Sequence, residues 1–238
     1  PCKPNVMMRT RSILFSCLLF PCAFLLFQTA CTKESNEVIN EERDGFILVE
    51  AENFNHQTND SIRKWYVFSE GSKPDIAPDP DPVHLSGASG DSYIEILPDT
   101  RTTHDDQLIR GTNFMPDPGK MAILSYDVKF NTPGKYYVWA RIYSTGTEDN
   151  GLHVGMNDTW PESGQRMQWC EGKNQWTWAS KQRTEENHCG EEKLIFLNIE
   201  EPGTHTIQFS MREDGTEFDA WAMTLEYEQP STSQTEME

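Results

Sequence analysis

The fold is decided by residues 124–143, which read LSYDVKFNTPGKYYVWARIY. Every second residue from Leu124 to Phe130 is apolar, and this period of two indicates a β-strand with one buried face. The Asn-Thr-Pro-Gly sequence at 131–134 favours a turn. Residues 136–143 are rich in aromatic and β-branched side chains, which suit a returning strand. The segment therefore predicts an antiparallel hairpin.

The same pattern continues along the chain, and no convincing amphipathic helix longer than two turns interrupts it. We therefore expect an all-β fold, an antiparallel β-sandwich of the jelly-roll type in one domain, residues 46–227. Long irregular segments at 69–91, 98–120 and 157–192 are expected to form loops at one end. About nine strands are predicted, at 46–54, 65–68, 92–97, 124–130, 136–143, 152–156, 194–199, 204–211 and 218–227.

The N-terminal residues have the order of an export signal. Arg9 and Arg11 precede the apolar run 13–27, and small residues then lead to Cys31. This predicts a signal peptide at 1–30 and, by similarity to a bacterial lipobox, lipidation of Cys31. Gln28 departs from that motif, where Leu is usual, so secretion with nearby cleavage and an uncleaved anchor stay open as alternatives.

Polar, acidic sequence flanks the predicted domain. Residues 31–45 are expected to form a flexible tether that follows the lipidated cysteine, and residues 228–238 a polar tail. We expect an exported lipoprotein of the bacterial outer membrane or cell surface, with a periplasmic or secreted protein as the alternative. Contact with the membrane is expected only through the lipid anchor.

Charge and cysteine content restrict the partners and the compartment. The formal net charge is −18, and clusters of Lys and Arg that would bind nucleic acid are absent from the sequence. After export, Cys170 and Cys189 remain as an even pair, which we expect to form a disulfide. A structural zinc site is the weaker alternative, because only His188 lies beside the pair.

Three stretches carry a family resemblance: VEAENF at 49–54, SGDSYIE at 89–95 and EFDAWAMTL at 217–225. In this order they resemble the jelly-roll carbohydrate-binding modules of families six and thirty-five and their relatives. They are also similar to accessory domains attached to enzymes that degrade marine polysaccharides. The resemblance covers 46–227 and implies non-catalytic binding of a polysaccharide or oligosaccharide.

The resemblance also implies a structural calcium ion held by Glu50, Glu52 and Asp219. Glu50 and Glu52 are two residues apart on a predicted strand, so both side chains point to the same face. Their charges repel unless a cation neutralises them, and calcium prefers carboxylate and carbonyl oxygens. The alternative is a solvated strand edge with two glutamates that bind no metal.

The expected sugar site combines aromatic and polar side chains. Four tryptophans lie close together in the polar stretch 158–178, and flat rings are suited to the apolar faces of sugars. The alternative is that they cover the disulfide loop and the edge of the core. By the resemblance, the ligand contacts are Tyr143, Trp176 or Trp178, and Glu217, where family members often have Asn. Asp149 and Asn150, beside Tyr143, are predicted as additional contacts.

Other motifs favour no catalytic chemistry. The sequence has no nucleophile elbow, zinc-protease helix motif or phosphate-binding loop, and residues 212–215 are expected to form a turn with its charges in solvent. We therefore expect a protein that is not an enzyme and that assists glycan capture or degradation, with glycan-degrading enzymes as partners. A glycoside hydrolase or polysaccharide lyase on a β-sandwich is one alternative, and a structural or protein-binding sandwich is the other.

Two observations on the identity of the sugar disagree. The resemblance to marine accessory domains points to algal galactans. The acidic surface disfavours sulfated or uronate polymers unless calcium or a local basic patch intervenes.

Overall fold

The computed structural model describes residues 39–231, which form two β-sheets and two 3-10 turns, at Ser89–Asp91 and Glu162–Gly164. The predicted signal peptide, the lipidation site Cys31 and residues 32–38 of the predicted tether lie outside the described residues. Residues 232–238 of the predicted tail also lie outside them. Within 39–231, no helix is long and apolar enough to cross a membrane.

The strands vary from two to ten residues in length. In chain order they are β1 (Asn40–Glu41), β2 (Phe46–Glu50), β3 (His56–Gln57), β4 (Lys64–Ser69), β5 (Ser92–Leu97), β6 (Leu124–Phe130), β7 (Gly134–Tyr143), β8 (Gly151–Met156), β9 (Met167–Gln168), β10 (Trp176–Ala179), β11 (Lys181–Gln182), β12 (Glu191–Glu192), β13 (Phe196–Ile199), β14 (Gly203–Met211) and β15 (Glu217–Thr224).

The strands divide into an eight-stranded sheet and a seven-stranded sheet. The first sheet has the order β1-β6-β14-β8-β9-β11-β12, with β3 also paired to β6. The second has the order β10-β7-β15-β5-β4, with β13 also paired to β7 and β2 to β15. All these pairings are antiparallel except that of β1 with β6. The predicted antiparallel sandwich is confirmed.

The main core lies between the two sheets and is built from the alternating strand residues. Leu124 and Phe130 at the two ends of β6 are fully buried, as are the apolar residues of β14. Phe209 of β14 and Phe218 of β15 join the sheets, with ring centroids 5.0 Å apart. Buried aromatic area of this kind is a main source of stability in a sandwich.

The structure has ten strands of four or more residues, one more than the nine that the sequence predicts. The additional strand is β10, Trp176–Ala179, inside the stretch 157–192 that was predicted to be irregular. This strand pairs with the edge of β7, where Trp176 is the partner of Tyr143. Its four residues are too few to show a period of two, so the sequence does not predict this strand. It forms by pairing with β7.

The predicted boundary of the tether at residue 45 is wrong, because the chain already joins the sandwich at β1. Asn40 and Glu41 pair with β6. Glu42 is fully buried, and its carboxylate accepts hydrogen bonds from the backbone N–H groups of Gly45 at 2.5 Å, Asn131 at 2.8 Å and Thr132 at 2.9 Å. A buried carboxylate that accepts three backbone hydrogen bonds is part of the fold, whereas the sequence alone shows only one more acidic residue in a polar stretch.

The outer face of the second sheet carries two smaller apolar clusters. One consists of Phe68, Tyr93 and Leu97, covered by apolar side chains of the segment 70–88. The other contains Trp139 and Trp178. The predicted disulfide between Cys170 and Cys189 is confirmed, with Cα atoms 5.3 Å apart, and it closes the segment that carries β10.

Candidate functional site

Five residues form one row across the outer face of the second sheet. Neighbouring strands place Tyr66 opposite Glu95, Glu95 opposite Glu217, Glu217 opposite Tyr143, and Tyr143 opposite Trp176. Directly opposed residues in a sheet point to the same face, with Cβ atoms about 5 Å apart. The row therefore places two carboxyl groups between aromatic side chains, on the face opposite the main core. We call these five residues the aromatic–acid row.

The segment 70–88 packs over this row through His84. Its Nδ1 lies 2.7 Å from Oε1 of Glu217, and its ring stacks on Tyr143 with the centroids 3.8 Å apart. The indole N–H of Trp176 donates to the backbone carbonyl of His84 at 3.1 Å. His84 thus connects three residues of the row. No sequence pattern predicts this role, because His84 lies in a proline-rich loop without a motif that indicates its partner.

Burial controls the charge of the row. Burial, together with repulsion by the neighbouring Glu217, raises the pKa of Glu95 to about 10. It also raises the pKa of Glu217 to about 10, with added repulsion from Asp81 and Asp149. Burial lowers the pKa of His84. At neutral pH, the contact between His84 and Glu217 is therefore a hydrogen bond between neutral groups, not an ion pair.

Several carboxyl oxygens in this region have no hydrogen-bond partner among the described residues. They are Oδ1 of Asp79, Oε1 of Glu95 and Oε2 of Glu217, and all three atoms are buried. Buried polar atoms in proteins are nearly always paired, with protein, water or a ligand. The row therefore holds buried carboxyl oxygens that the described residues leave unpaired, next to partly exposed aromatic rings.

The structure brings together Tyr143, Trp176 and Glu217 of the predicted sugar contacts. Trp178 is only 7% exposed and packs with Trp139, so its ring is not available for stacking on a ligand, and we leave it out of the candidate site. This correction follows from β10, since the alternation of a strand places both Trp176 and Trp178 on the outer face but over different clusters.

The two predicted loop contacts have structural partners. Asp149 is 4% exposed and accepts hydrogen bonds from the hydroxyl of Ser144 at 2.6 Å and from the backbone N–H of Thr145 at 2.6 Å. Asn150 is 2% exposed, and its backbone N–H donates to Glu213 at 3.0 Å. Both residues shape the loop after β7, and Asp149 acts on Glu217 through its charge.

The predicted calcium ligands lie near one another, but one of them is already paired with an arginine. The first and last strands are neighbours, with Glu50 opposite Ala220, as the resemblance implied. Asp219 forms an ion pair with Arg141 and accepts a hydrogen bond from the backbone N–H of Ser89 at 2.6 Å. Within 39–231 there is no group of three or more His, Cys, Asp or Glu side chains placed to hold a metal ion.

Two of the three side chains retain features that fit a cation. Burial raises the pKa of Glu52, and the neighbouring charge of Glu50 raises it further. Oε2 of Glu52 is buried without a hydrogen-bond partner among the described residues. A calcium ion would therefore be held by Glu50 and Glu52, with Asp219 joining only if Arg141 moved away.

The predicted solvent-exposed turn at 212–215 is also corrected. Arg212, Glu213 and Asp214 are each 5% exposed or less. Asp214 forms an ion pair with Arg63 at 2.7 Å, and Arg212 contacts Glu213 at 2.5 Å. The turn is present, but long-range partners bury its charges, and such partners are not visible in the local sequence.

Comparison with known proteins gives one strong match in sequence. No protein-family model matches the chain. Over 190 residues it is 56% identical to an uncharacterized protein, P23, of Formosa agariphila, and the match covers 80% of this chain. The chain spans 46% of the length of that relative.

Similar solved structures are remote. They include a xanthan lyase from Paenibacillus (14% identity, 75% of this chain and 13% of that chain, TM-score 0.43). A family 35 carbohydrate-binding module from Clostridium thermocellum matches at 12% identity (75% and 96%, TM-score 0.41). The C-terminal family 6 module of LamC from Zobellia galactanivorans matches at 13% (75% and 98%, TM-score 0.39). We draw no functional argument from matches this distant.

Proposed function

We propose that this protein binds a polysaccharide or oligosaccharide, without transforming it, at the aromatic–acid row. The observation that carries the proposal is the position of Tyr143 and Trp176 beside two carboxyl groups with unpartnered oxygens. Aromatic rings pack against the C–H faces of sugars, and a protonated carboxyl group both donates to and accepts from hydroxyl groups. The order of sequence motifs that resembles carbohydrate-binding modules supports the same function.

Binding without turnover is supported by the state of the two acids. Glycoside hydrolases commonly use one protonated and one ionised carboxyl group. Here burial raises the pKa of both Glu95 and Glu217 to about 10, so both are protonated at neutral pH and neither supplies the ionised group. An enzyme, hydrolase or lyase, would instead release new reducing ends or unsaturated products from a polysaccharide.

The cellular setting is also a proposal. We place the protein outside the bacterial cytoplasm, as a lipoprotein anchored through Cys31 that presents glycan to degrading enzymes. The disulfide between Cys170 and Cys189 supports export, because such bonds persist in oxidising compartments. Algal galactan is the polymer that the motif resemblance favours.

A structural calcium ion at Glu50 and Glu52 belongs to the same proposal. It would neutralise two close carboxylates beside the first strand and so stabilise the fold, with no direct role in sugar contact. Its support is the repulsion between these two side chains and the unpartnered oxygen of Glu52.

The test is affinity electrophoresis of the disulfide-bonded chain in gels that contain neutral plant and algal polysaccharides. Retardation by a polymer, reduced in Trp176→Ala and Tyr143→Ala, supports the proposal. Trp160→Ala is the matched control, because Trp160 packs on Gly119 and Gly155, away from the row. No retardation by any polymer, with the fold confirmed by circular dichroism, would instead favour a structural or protein-binding sandwich.

A further inference from the structure

A second concave surface contrasts with the acidic character of the chain. It is a groove of about 450 Å³ between the segment 101–114, the disulfide-closed segment 170–189 and the turn after β14. Three arginines line it, Arg101, Arg183 and Arg212, against a single carboxylate, that of Glu213. In a protein with a formal net charge of −18, this local excess of positive charge is unusual and requires an explanation.

Arg101 is the least satisfied of the three arginines. It is 7% exposed, and its Nε is buried without a hydrogen-bond partner among the described residues. Two other buried arginines in the domain are each paired, Arg63 with Asp214 at 2.7 Å and Arg141 with Asp219. A buried guanidinium without a counter-charge is costly, so its position at the groove indicates a partner that is not part of the chain.

The other two arginines extend the positive surface. Arg212 is 5% exposed and donates to Gln168 at 3.2 Å and to Glu213 at 2.5 Å. Arg183 lines the same groove as Arg212, and burial lowers its pKa, with repulsion by Arg212 as a further cause. The second carboxylate oxygen of Glu213 accepts from the backbone N–H of Asn150 at 3.0 Å. One carboxylate thus faces three cations.

An apolar surface lies directly beside these charges. The guanidinium carbon of Arg212 is 5.1 Å from the centroid of the Phe114 ring, which also lines the groove. The planar fork of arginine matches an oxyanion with two parallel hydrogen bonds, and a neighbouring ring suits the C–H surface of a sugar. The groove therefore combines the two features that an acidic sugar unit requires.

We propose that this groove binds an oxyanion, the sulfate or carboxylate substituent of an acidic glycan, with Arg101 and Arg183 as the contacting cations. The assignment to a glycan rests on the proposed function, whereas the preference for an oxyanion rests on the groove alone. A free inorganic anion, such as sulfate, would bind through the same arginine contacts. The groove would allow an otherwise acidic protein to hold an acidic polymer.

The experiment compares one polysaccharide in its sulfated form and after chemical desulfation, by affinity electrophoresis of the disulfide-bonded protein. We expect the sulfated form to bind about tenfold more tightly, as lost contacts to a charged group commonly cost at least this much. Arg101→Gln and Arg183→Gln should each reduce this preference and leave the retardation by the desulfated polymer unchanged. Arg43→Gln removes an exposed arginine outside the groove and is the matched control.

Thermal unfolding in sodium sulfate and in sodium chloride, at equal ionic strength, tests the anion site without any glycan. Sulfate also stabilises proteins by general exclusion from their surface. The Arg101→Gln variant measures this nonspecific stabilisation, because it lacks a cation of the proposed site. The wild-type protein should therefore gain several degrees more from sulfate than Arg101→Gln does. Arg183, which is partly exposed, provides a second variant if Arg101→Gln fails to fold.

The outcomes separate the two proposals. Equal binding of the sulfated and desulfated polymers, with no specific stabilisation by sulfate, would overturn the proposal that the groove binds an oxyanion. The proposal of sugar binding at the aromatic–acid row would not be affected. Specific stabilisation by sulfate without preference for the sulfated polymer would overturn the glycan assignment and leave a site for a free anion. If no polymer binds at all, the proposed function fails, and the sulfate measurement still decides the groove.

Discussion

Glu95 and Glu217 are direct partners on the adjacent strands β5 and β15, and each is only 2% exposed. Burial is the main cause that raises the pKa of both side chains to about 10, and repulsion by Glu217 is part of the rise for Glu95. At neutral pH the folded protein therefore holds two protons that its unfolded chain would release. This pair links the chemistry of the candidate site to the stability of the fold.

The first prediction is that the protein is more stable at pH 5 than at pH 9. A carboxyl group whose pKa is raised on folding contributes stability that is fully present below its unfolded pKa of 4.5. That stability is lost as the pH rises towards the folded value. Each acid contributes a slope of up to about 1.4 kcal/mol per pH unit. Denaturant unfolding at pH 5, 7 and 9 measures this trend, and Glu217→Gln should flatten it.

Buried His153 has the opposite effect at lower pH. Burial lowers its pKa to about 3, so its contribution to stability is lost as the pH falls below its unfolded value of 6.5.

The control for the first prediction is the exposed carboxylate of Glu41, because Glu41→Gln should leave the slope of stability between pH 5 and 9 unchanged. A wild-type protein whose stability increases up to pH 9 would contradict the assignment of protonated acids.

The second prediction concerns the state in which Glu217 meets a sugar. Because this side chain is protonated at neutral pH, Glu217→Gln replaces one neutral hydrogen-bonding group by another of similar shape. Sugar affinity should then change by less than about threefold, whereas Glu217→Leu, which removes both polar atoms, should lower it about tenfold. Isothermal titration with an oligosaccharide of the retarding polymer measures both. Equal losses in the two variants would indicate that a negative charge is needed.

The third prediction is that calcium stabilises the protein through Glu50 and Glu52. At a calcium concentration 100-fold above the dissociation constant, the melting temperature should rise by about 5–10 °C relative to chelator. The Glu52→Gln variant should lose this shift, because it removes one of the two repelling carboxylates. Identical melting with calcium and with chelator would mean that Arg141 supplies the positive charge beside Asp219 and that no calcium is bound.

The fourth prediction tests the N-terminal boundary of the fold. Glu42→Ala leaves three backbone N–H groups without their acceptor, in a position that is fully buried, and should cost about 2–4 kcal/mol of unfolding free energy. The neighbouring Glu41 has an exposed ion pair with Lys129, so Glu41→Ala should cost less than about 1 kcal/mol. Equal effects of the two substitutions in denaturant unfolding would restore the predicted flexible tether.

The regular strands could be predicted because their pattern is local. Leu124–Phe130 and Ser92–Leu97 have the predicted boundaries. In Leu124–Phe130 the alternation of apolar and polar residues, and the turn residues that follow, are both visible in the sequence. The strand β10 could not be predicted in the same way. Its four residues form a strand because β7 offers an unpaired edge, and this information lies more than thirty residues away.

The candidate site was predicted only in part, for a similar reason. Tyr143, Trp176 and Glu217 were named from aromatic content and resemblance, and the register of the sheet brings them into one row. The contact of His84 with Glu217 joins residues 133 positions apart, and no period or motif indicates it. The burial of Arg101 and Glu42 cannot be predicted from the sequence, because charged residues in polar segments usually lie at the surface.

The pairing of β1 with β6 also has a mechanical meaning. Any pull on the residues that precede Asn40 enters the sandwich at this parallel pair and at the carboxylate of Glu42. Force along the strand would load these hydrogen bonds together, in shear, whereas force across it would break them one after another. If the proposed lipid anchor at Cys31 holds the chain, drag on a bound polymer would therefore be carried by hydrogen bonds loaded in shear.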